Sequence, residues 1–405
     1  MNKIIDPPLV KHRRPRPLRV TMLGIRGFPD VQGGAEKHAE KLSCALAEIG
    51  CRVEAVVRSG YVKKGRSATW RDITFARIWA PRITGVEAFV HTFLGVLRAA
   101  FKRPDILHIH AIGPAFFTPL ARAFGLRVVV THHLRNYENE KWSRSARLLL
   151  RAGEWAGMTF ANGRIAVSDG LAAQMTRSYR VPVSAIPNGI DRPQIVQTTE
   201  TLQACGLTPN RYALTVARVD EQKRQLDSIA AYARLRRPGF KLALVGAADY
   251  AGSYARAVAA AAQQTPGVVL LGHRSGAALA ELYSHAGVFV LPSSHEGQPI
   301  AVLEAASFGL PVILSDIAAH RELALPRARY LAVGDIAALA EHLAAVFAVP
   351  VVDKLNAVER ARLLARHDWS IIAQRTLAVY FDALSPAGSA TRATDAPARK
   401  ARALS

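Results

Sequence analysis

The sequence predicts an α/β protein made of two Rossmann-like domains that face each other across a cleft. The chain has 405 residues and half of them are hydrophobic, so we expect more than one globular core. Short apolar runs alternate with helical patterns over most of its length, which is typical of parallel sheets covered by helices on both faces. The alternation pauses after a turn at 186–191 and then restarts, which indicates two such units.

The first domain is predicted over 17–190. Its strand candidates are the short apolar runs Leu18–Leu23, Val53–Val57, Ile73–Ile78, Ile106–Ile109, Val128–Thr131 and Arg164–Val167. After the first run and a Gly-rich loop, apolar residues recur at helical spacing, at Ala35, Ala39, Leu42, Leu46 and Ile49. The polar stretch Gln194–Thr208 is predicted to be a linker.

The second domain is predicted over 191–369, and a helix at about 370–384 is expected after it. The strand candidates here are Tyr212–Val216, Leu242–Val245, Val268–Leu271, Val288–Leu291 and Pro311–Leu314. Helical patterns close the chain at Ile336–Phe347, Leu355–Ala365 and Ser370–Leu384. Two polar tails frame the fold, because 1–16 is basic and Pro-rich and 385–405 has the composition of a disordered segment.

The chain is strongly basic, with a formal net charge of +22. Such an excess favours an anionic partner, and nucleic acid, an anionic lipid surface and phosphorylated substrates all remain open on charge alone. No sequence signature of a nucleic-acid-binding module is present, so we expect none as partner. Three cysteines without metal-ligand spacing favour a reduced, cytoplasmic setting, and no apolar run is long enough to span a bilayer.

The segment Val288–Glu304 is the most informative for chemistry. A strand runs into a polar turn and then into a helix that is predicted to begin near Pro299. The free N–H groups at Gly297, Gln298 and Ile300 would then form an anion site suited to a diphosphate. Glu296 and Glu304 would serve neutral groups such as sugar hydroxyls, or alternatively one caps the helix and the other is solvated.

Two further groups of polar residues follow predicted strand ends, where ligands of doubly wound sheets bind. Arg218 and Lys223 could neutralise a diphosphate without a metal, or they are two surface cations among many. Four histidines form either a polar site or structural contacts: His108, His110, His132 and His133. The glycines at 27, 33 and 34 allow close approach to a ligand but do not have the spacing of a nicotinamide site.

Taken together, these segments resemble the retaining glycosyltransferase family 4, whose members share the two-domain GT-B fold. The similarity spans about 18–384 and rests on the pair Glu296 and Glu304, on 305–313 and on the motif Ile-Pro-Asn-Gly-Ile-Asp at 186–191. The start Gly-Ile-Arg-Gly-Phe-Pro, with Gly33-Gly34-Ala-Glu and Glu140-Lys-Trp142, further resembles the branch that builds bacterial exopolysaccharides, capsules and O-antigens. Rhamnosyltransferases occur in that branch.

The resemblance implies roles for individual residues, as expectations. Those at the reacting centre are His133 (with His132 as the alternative), Glu296, Arg218 and Lys223. Arg218 and Lys223 would hold the donor diphosphate, while Glu296 would contact the donor sugar and Glu304 the nucleotide ribose. Backbone of the donor site would come from Gly33, Gly34, Gly297, Gln298, Pro299 and Ile300. The first domain would bind the acceptor, and the last helix would cross back onto it.

The function implied is transfer of a hexosyl or deoxyhexosyl unit from a nucleotide-diphosphate sugar to a glycan, with retention and without a metal or other cofactor. A lipid-linked acceptor in cell-surface polysaccharide synthesis is expected, with docking at the inner face of the cytoplasmic membrane through 135–164 and the N-terminal tail. Alternatives are a sugar-nucleotide hydrolase or epimerase on the same fold, or a non-catalytic sugar-nucleotide binding protein. Two segments depart from the family pattern, 132–136 near the acceptor subsite and 245–249 near the nucleotide.

Overall fold

The computed structural model describes residues 16–385 except 63–67, 82, 84, 139–141, 236, 250–251 and 349–354. The predicted tails 1–16 and 385–405 therefore lie almost wholly outside the described residues, as do Glu140 and Lys141 of one motif. The described part forms two parallel sheets, each covered by helices on both faces. This confirms the predicted fold class of two Rossmann-like domains.

The first sheet has the strand order β3-β4-β2-β1-β5-β6-β7-β8. Its strands are β1 Arg19–Leu23, β2 Arg52–Arg58, β3 Thr69–Trp70, β4 Ile73–Ile78, β5 Ile106–His110, β6 Val128–His132, β7 Gly163–Ala166 and β8 Ser184–Ala185. Only the pair β3 and β4 is antiparallel among these strands. Without the two-residue edge strands β3 and β8, the order is the 3-2-1-4-5-6 order of a Rossmann fold.

Six helices connect the strands of the first sheet. They are α1 Gly34–Glu48, α2 Val86–Lys102, α3 Ile112–Ala115, α4 Thr118–Ala123, α5 Arg144–Phe160 and α6 Asp169–Tyr179, with a 3-10 turn at Asn136–Glu138. The sheet order reverses between β1 and β5, so right-handed crossovers place α1 on one face and α2 to α6 on the other. Each face has its own hydrophobic core.

The second sheet has the order β11-β10-β9-β12-β13-β14, again that of a Rossmann fold. Its strands are β9 Tyr212–Val216, β10 Lys241–Val245, β11 Val268–Gly272, β12 Val288–Leu291, β13 Val312–Ser315 and β14 Arg329–Leu331. All described pairings in it are parallel. The strands predicted from apolar runs are all present in both sheets, whereas the short strands β3, β8 and β14 were not predicted.

The remaining helices belong to the second half of the chain. They are α7 Glu200–Ala204, α8 Gln225–Arg234, α9 Ser253–Gln264, α10 Gly276–His285, α11 Ile300–Ser307, α12 Ala318–Arg321, α13 Ile336–Ala348, α14 Ala357–Arg366 and α15 Trp369–Leu384, with a 3-10 turn at Glu221–Lys223. The predicted linker Gln194–Thr208 contains α7, which corrects that prediction. The helix forms because Leu202 is fully buried and its N–H donates to the carboxylate of Glu281, 3.1 Å away. None of the described helices has the length and apolar character needed to cross a membrane.

The last helix, α15, packs against α1 and against the strands β6 and β7 of the first sheet. It is held there by a buried hydrogen bond, because the Tyr380 hydroxyl lies 2.7 Å from Nδ1 of His108 on β5. Both side chains are fully buried, and Nε2 of the same imidazole bonds to Thr131 Oγ1. The last described helix therefore belongs to the first domain in space, although it follows the second domain in sequence.

We expect Tyr380→Phe to lower the free energy of unfolding by about 1–3 kcal/mol, because it leaves a buried nitrogen of His108 without a partner. Chemical denaturation measures the loss. Tyr330→Phe is the matched control, since this tyrosine is only half-buried and its hydroxyl lies 3.5 Å from its acceptor, His320 O. An equal loss in both variants would contradict an anchoring role for the buried pair.

Candidate active site

The carboxyl ends of the strands of both sheets meet at a cavity of about 1080 Å³ between the domains. Residues that directly follow β1, β5, β6, β9 and β10 line it, among them Gly24, Ala111, His133, Ala217 and Gly246. Every residue to which the family resemblance assigns a role, the alternative His132 excepted, lines this same cavity: Gly33, Gly34, His133, Arg218, Lys223, Glu296, Gly297, Gln298, Pro299, Ile300 and Glu304. Gly27, His108 and His110, which the sequence analysis also named, are not among the lining residues. The structure therefore brings together residues that are up to 271 positions apart in the chain.

Glu296 and Lys223 form a buried ion pair at the second-domain side of the cavity. The ammonium of Lys223, at the end of the 3-10 turn that follows β9, lies 2.5 Å from Oε1 of Glu296. Burial opposes ionisation of the carboxyl, but the charge and hydrogen bond of Lys223 hold the pKa of Glu296 below its ordinary value of 4.5. At neutral pH the site thus presents a carboxylate and an ammonium side by side.

Glu304 lies on α11 and is paired across the cavity with Lys37 on α1 of the first domain. Its other oxygen lies 3.3 Å from the hydroxyl of Tyr283. Burial disfavours the ammonium of Lys37, yet the neighbouring carboxylate of Glu304 raises its pKa above the ordinary value. Lys37 was not predicted from the sequence, and its only signal there is its position just after the Gly-rich loop.

Arg218 also takes part in a contact between the domains. Asp249, in the loop after β10, lies 2.6 Å from Arg218 and 2.6 Å from Arg26 of the first domain, one carboxylate oxygen to each. Arg26 in turn pairs with Glu36 at 2.8 Å. Burial raises the pKa of Asp249, but the two guanidinium groups lower it by more, so the aspartate is ionised.

The loop before α11 fits closely against the end of β6. A Cβ atom added at Gly297 would lie 1.7 Å from the carbonyl oxygen of His133, so only glycine allows this approach. The helix begins at Ile300, after Pro299, and no side chain caps it. Ile300 and Ala301 line the cavity, so the start of this helix is available to an anion without a competing side-chain cap.

Asn188, in the turn at 186–191, connects this loop to the first domain. Its side-chain N–H donates to the carbonyl of Gln298 at 2.8 Å, and its backbone N–H donates to Oε1 of the same glutamine at 2.5 Å. Its Oδ1 accepts a hydrogen bond from Nδ1 of His38 at 2.8 Å. The Gln298 side chain therefore positions the turn, a role that was not predicted.

Three imidazoles lie together on the first-domain side of the cavity. His110 Nδ1 and His133 Nε2 are 3.2 Å apart, and the ring of His38 is centred 4.9 Å from that of His133. Burial holds the pKa of His110 and His133 well below 6.5 and that of His38 at about 4, so all three are neutral at pH 7. Within the described part of the chain they are the one group whose ligand atoms, within 4.8 Å of one another, could hold a metal ion.

His132, the alternative to His133, does not line the cavity. It is fully buried, and its Nε2 lies 2.8 Å from a carboxylate oxygen of Glu154 on α5. The hydroxyls of Tyr137 and Tyr179 also donate to this carboxylate, at 3.0 and 2.7 Å. His132 therefore helps to hold the segment after β6 in place, and of the two neighbours only His133 is available to a ligand.

Two family models match the chain, one for each domain. Residues 32–193 match Glycosyltransferase Family 4, and residues 210–348 match Glycosyl transferases group 1. An α-maltose-1-phosphate synthase of Mycobacterium tuberculosis is 29% identical over 393 residues, which cover 90% of this chain and 99% of the relative. A glycogen synthase of the same species is 26% identical over 410 residues, with 90% and 95% covered.

The chain is a glycosyltransferase of the family 4 type. Among solved structures, this glycosyltransferase is similar to sucrose-phosphate synthase of Thermosynechococcus elongatus, with a TM-score of 0.76, 22% identity and 90% and 98% of the two chains covered. It is also similar to Anabaena HepE in complex with UDP and glucose, with a TM-score of 0.71, 17% identity and 89% and 98% covered. At these identities the likeness establishes the fold, which is GT-B.

We expect Lys223→Met to destabilise this glycosyltransferase by about 3–5 kcal/mol at pH 7, because it leaves the Glu296 carboxylate buried without its cation. Adding Glu296→Gln should restore most of the loss, and chemical denaturation measures both variants. In the wild type the pKa of Glu296 is lowered, so the ionised carboxylate stabilises the fold above pH 4.5 and this contribution is lost as the pH falls.

In Lys223→Met the main lowering influence is gone and burial raises the pKa of Glu296, so the carboxyl takes up a proton at higher pH. The deficit of this variant relative to the wild type should therefore shrink as the pH falls through the new pKa. A double variant as unstable as Lys223→Met alone would show that the ion pair is not the source of the loss.

Proposed function

We propose that this glycosyltransferase transfers a hexosyl or deoxyhexosyl unit from a nucleotide-diphosphate sugar to a glycan acceptor, with retention of configuration. The observation that carries the proposal is the grouping of two carboxylates, two cations and an uncapped helix start in one cavity between the domains. Cations and free N–H groups suit a diphosphate, while carboxylates suit sugar hydroxyls. Structural neighbours solved with UDP and glucose or with ADP support a nucleotide donor.

In this proposal the donor replaces contacts that the domains make with each other. The diphosphate takes the place of the Asp249 carboxylate beside Arg218, and it also lies near Lys223 and the start of α11. The ribose hydroxyls donate to Glu304, which then gives up part of its pairing with Lys37. Glu296 accepts hydrogen bonds from the donor sugar, with backbone contacts from 297–300 and from Gly33 and Gly34.

The reaction then follows from where charge develops. The bond between the anomeric carbon and the leaving phosphate oxygen breaks through an oxocarbenium-like state, and negative charge grows on the departing diphosphate. Arg218, Lys223 and the N–H groups of α11 stabilise that charge, so we propose that no metal is required. The acceptor hydroxyl forms the new bond on the same face and gives its proton to the leaving phosphate. Burial lowers the pKa of His133, so the imidazole is neutral at pH 7, and we propose that it hydrogen-bonds to the sugars.

We propose a lipid-linked glycan as the acceptor, reached at the inner face of the cytoplasmic membrane. The charge distribution supports this, because the cavity is close to balanced although the chain carries +22. Its lining holds seven basic side chains, Lys37, Lys41, Arg71, Arg192, Arg218, Lys223 and Arg274, and six acidic ones, Asp30, Glu36, Glu40, Asp191, Glu296 and Glu304. The excess of positive charge therefore lies outside the cavity, where it can bind an anionic membrane surface. The names of the relatives, an α-maltose-1-phosphate synthase and a glycogen synthase, favour the alternative that the product is a disaccharide phosphate or a glucan.

We expect one nucleotide sugar from a panel of UDP-, GDP- and dTDP-sugars to bind, and Glu304→Ala to weaken that binding at least about tenfold through the lost ribose contact. Isothermal titration calorimetry measures both affinities. Glu48→Ala is the matched control, because this glutamate is exposed at the end of α1 and outside the cavity. Equal donor affinity in wild type and Glu304→Ala would remove Glu304 from the donor site.

We expect the first product formed from an α-linked donor to carry an α linkage, and the rate to be unchanged by EDTA. Proton NMR of the reaction mixture gives the anomeric configuration before any mutarotation, and a parallel rate assay with EDTA tests the metal. A β product would exclude the retaining mechanism. Release of free sugar at the same rate with and without acceptor would favour a hydrolase, and donor binding without turnover a binding protein.

A further inference from the structure

Helix α2 buries its polar side and exposes its apolar side, which is the opposite of an ordinary surface helix. The side it buries against the sheet carries mostly polar or small residues: Glu87, His91, Thr92, Gly95, Val96 and Ala99. The side it exposes is apolar, with Val86, Phe89, Phe93, Leu97 and Phe101 at helical spacing. A surface helix normally turns its apolar stripe to the core and its polar side to water. The apolar stripe that α2 exposes is about 25 Å long, and packing within the domain does not explain it.

The inverted orientation is specified by contacts on the buried side. The carboxylate of Glu87 accepts hydrogen bonds from Arg58 at 2.8 Å and from Tyr61 at 3.2 Å. A Cβ atom added at Gly95 would lie 2.3 Å from Cδ1 of Leu23, so the glycine lets α2 lie directly on β1. The helix is thus held with its aromatic side outward by a buried ion pair and a close packing contact.

The apolar surface continues from α2 onto its neighbours. The ring of Phe89 contacts those of Phe116 and Phe117, at centroid distances of 5.6 and 4.5 Å. Helix α5, which packs on α3 and α4 of the same face, exposes Leu148 and Trp155. Trp79, which directly follows β4, is 67% exposed, and Phe101, at the end of α2, is 84% exposed. We call this the α2–α5 face, defined by the exposed sides of these helices.

Basic residues surround the α2–α5 face, and each of its described acidic residues has a partner. The exposed basic side chains are Arg77, Lys102, Arg103, Arg144 and Arg151. The described carboxylates from 77 to 164 all have partners: Glu87 with Arg58, Asp105 with Arg16 and Arg19, Glu138 with Arg135, and Glu154 with His132. The face therefore combines exposed aromatic and aliphatic side chains with an excess of basic over acidic side chains.

The apolar and basic side chains of the α2–α5 face indicate which kind of partner binds there. A second copy of the chain would bring the same positive charge against it, which is unfavourable. An apolar stripe of Phe, Leu and Trp flanked by Lys and Arg is the pattern of helices that lie in the interface of an anionic bilayer. Helices α2 and α5 start at the carboxyl edge of the sheet, where the cavity opens, so a membrane on this face would present a lipid-anchored acceptor at the cleft.

We propose that the α2–α5 face docks this glycosyltransferase on an anionic membrane surface, with the side chains of α2 inserted between the lipids. The proposal deepens the lipid-linked acceptor of the proposed function, and it extends the docking region expected from the sequence, 135–164, to a helix 50 residues earlier. The membrane partner is defined by its chemistry, a bilayer that carries negatively charged headgroups.

Vesicle co-sedimentation tests the proposal directly. We expect the full-length protein to bind vesicles of equal parts phosphatidylcholine and phosphatidylglycerol, and to bind pure phosphatidylcholine at least about tenfold more weakly. Phe93→Ser with Phe101→Ser should weaken binding to the anionic vesicles at least about tenfold, because two exposed aromatic rings no longer enter the bilayer. Arg144→Ser with Arg151→Ser should weaken it and reduce its dependence on salt.

Val358→Ser with Ile371→Ser is the matched control, since these apolar residues are exposed on α14 and α15, away from the α2–α5 face. This variant should bind vesicles like the wild type, and thermal melting verifies that every variant folds. Wild-type protein that does not bind anionic vesicles, or binding that survives both changes on the face, would overturn the proposal. So would a dimer in light scattering that Phe93→Ser with Phe101→Ser converts to a monomer.

Donor binding and transfer to an acceptor in detergent separate this proposal from the proposed function. Both should be unchanged in Phe93→Ser with Phe101→Ser, because these residues lie outside the cavity. Loss of vesicle binding alone would thus support docking, and transfer in detergent without any vesicle binding by the wild type would reject docking but keep the transferase. Vesicle binding by a protein that transfers no sugar would support docking and reject the transferase.

Discussion

The site depends on how closely the loop before α11 approaches the end of β6. Gly297 lies against the carbonyl of His133, and a single added carbon would hold the domains apart. Because the approach is possible, Asn188 can bond both to Gln298 and to His38, and Lys37 can reach Glu304. Ligands of a Rossmann-like sheet bind at the ends of its strands. Because the two domains approach so closely, the strand ends of both sheets line one common cavity.

The contacts that close the cavity are charged, and this has a consequence for ligand binding. Glu304 is paired with Lys37, and Arg218 shares Asp249 with Arg26, so these groups are neutralised in the unliganded protein. A buried charge without a partner costs several kcal/mol, which is why each of them has one. In the proposed complex the diphosphate replaces the Asp249 carboxylate beside Arg218 by another anion, and Asp249 keeps its pairing with Arg26. The ribose hydroxyls donate to Glu304, which keeps part of its pairing with Lys37. None of these charges would then be left without a partner.

The sequence predicted the strands well because parallel strands buried on both faces are continuous apolar runs, such as Val288–Leu291. The same apolar runs also located the site residues. A residue that directly follows such a run lies at a strand end, whatever its partners elsewhere in the chain are. The sequence could not supply Lys37, whose role depends on a glutamate 267 residues later, or Asn188, which looked like an ordinary turn residue. The helix α7 was missed because one buried leucine and one remote carboxylate stabilise it.

Helix α2 shows a more general limit of pattern reading. The apolar stripe of α2 is visible in the sequence. Periodicity shows only that the helix has an apolar and a polar side, and the apolar side is usually assumed to face the core. Here the assumption fails because Glu87 has a buried arginine to pair with, and because Gly95 leaves room for Leu23. Burying these groups while exposing four aromatic or leucine side chains sacrifices hydrophobic stabilisation within the monomer. Such an arrangement is consistent with an apolar surface that is covered when the protein works, and the basic residues around it indicate what covers it.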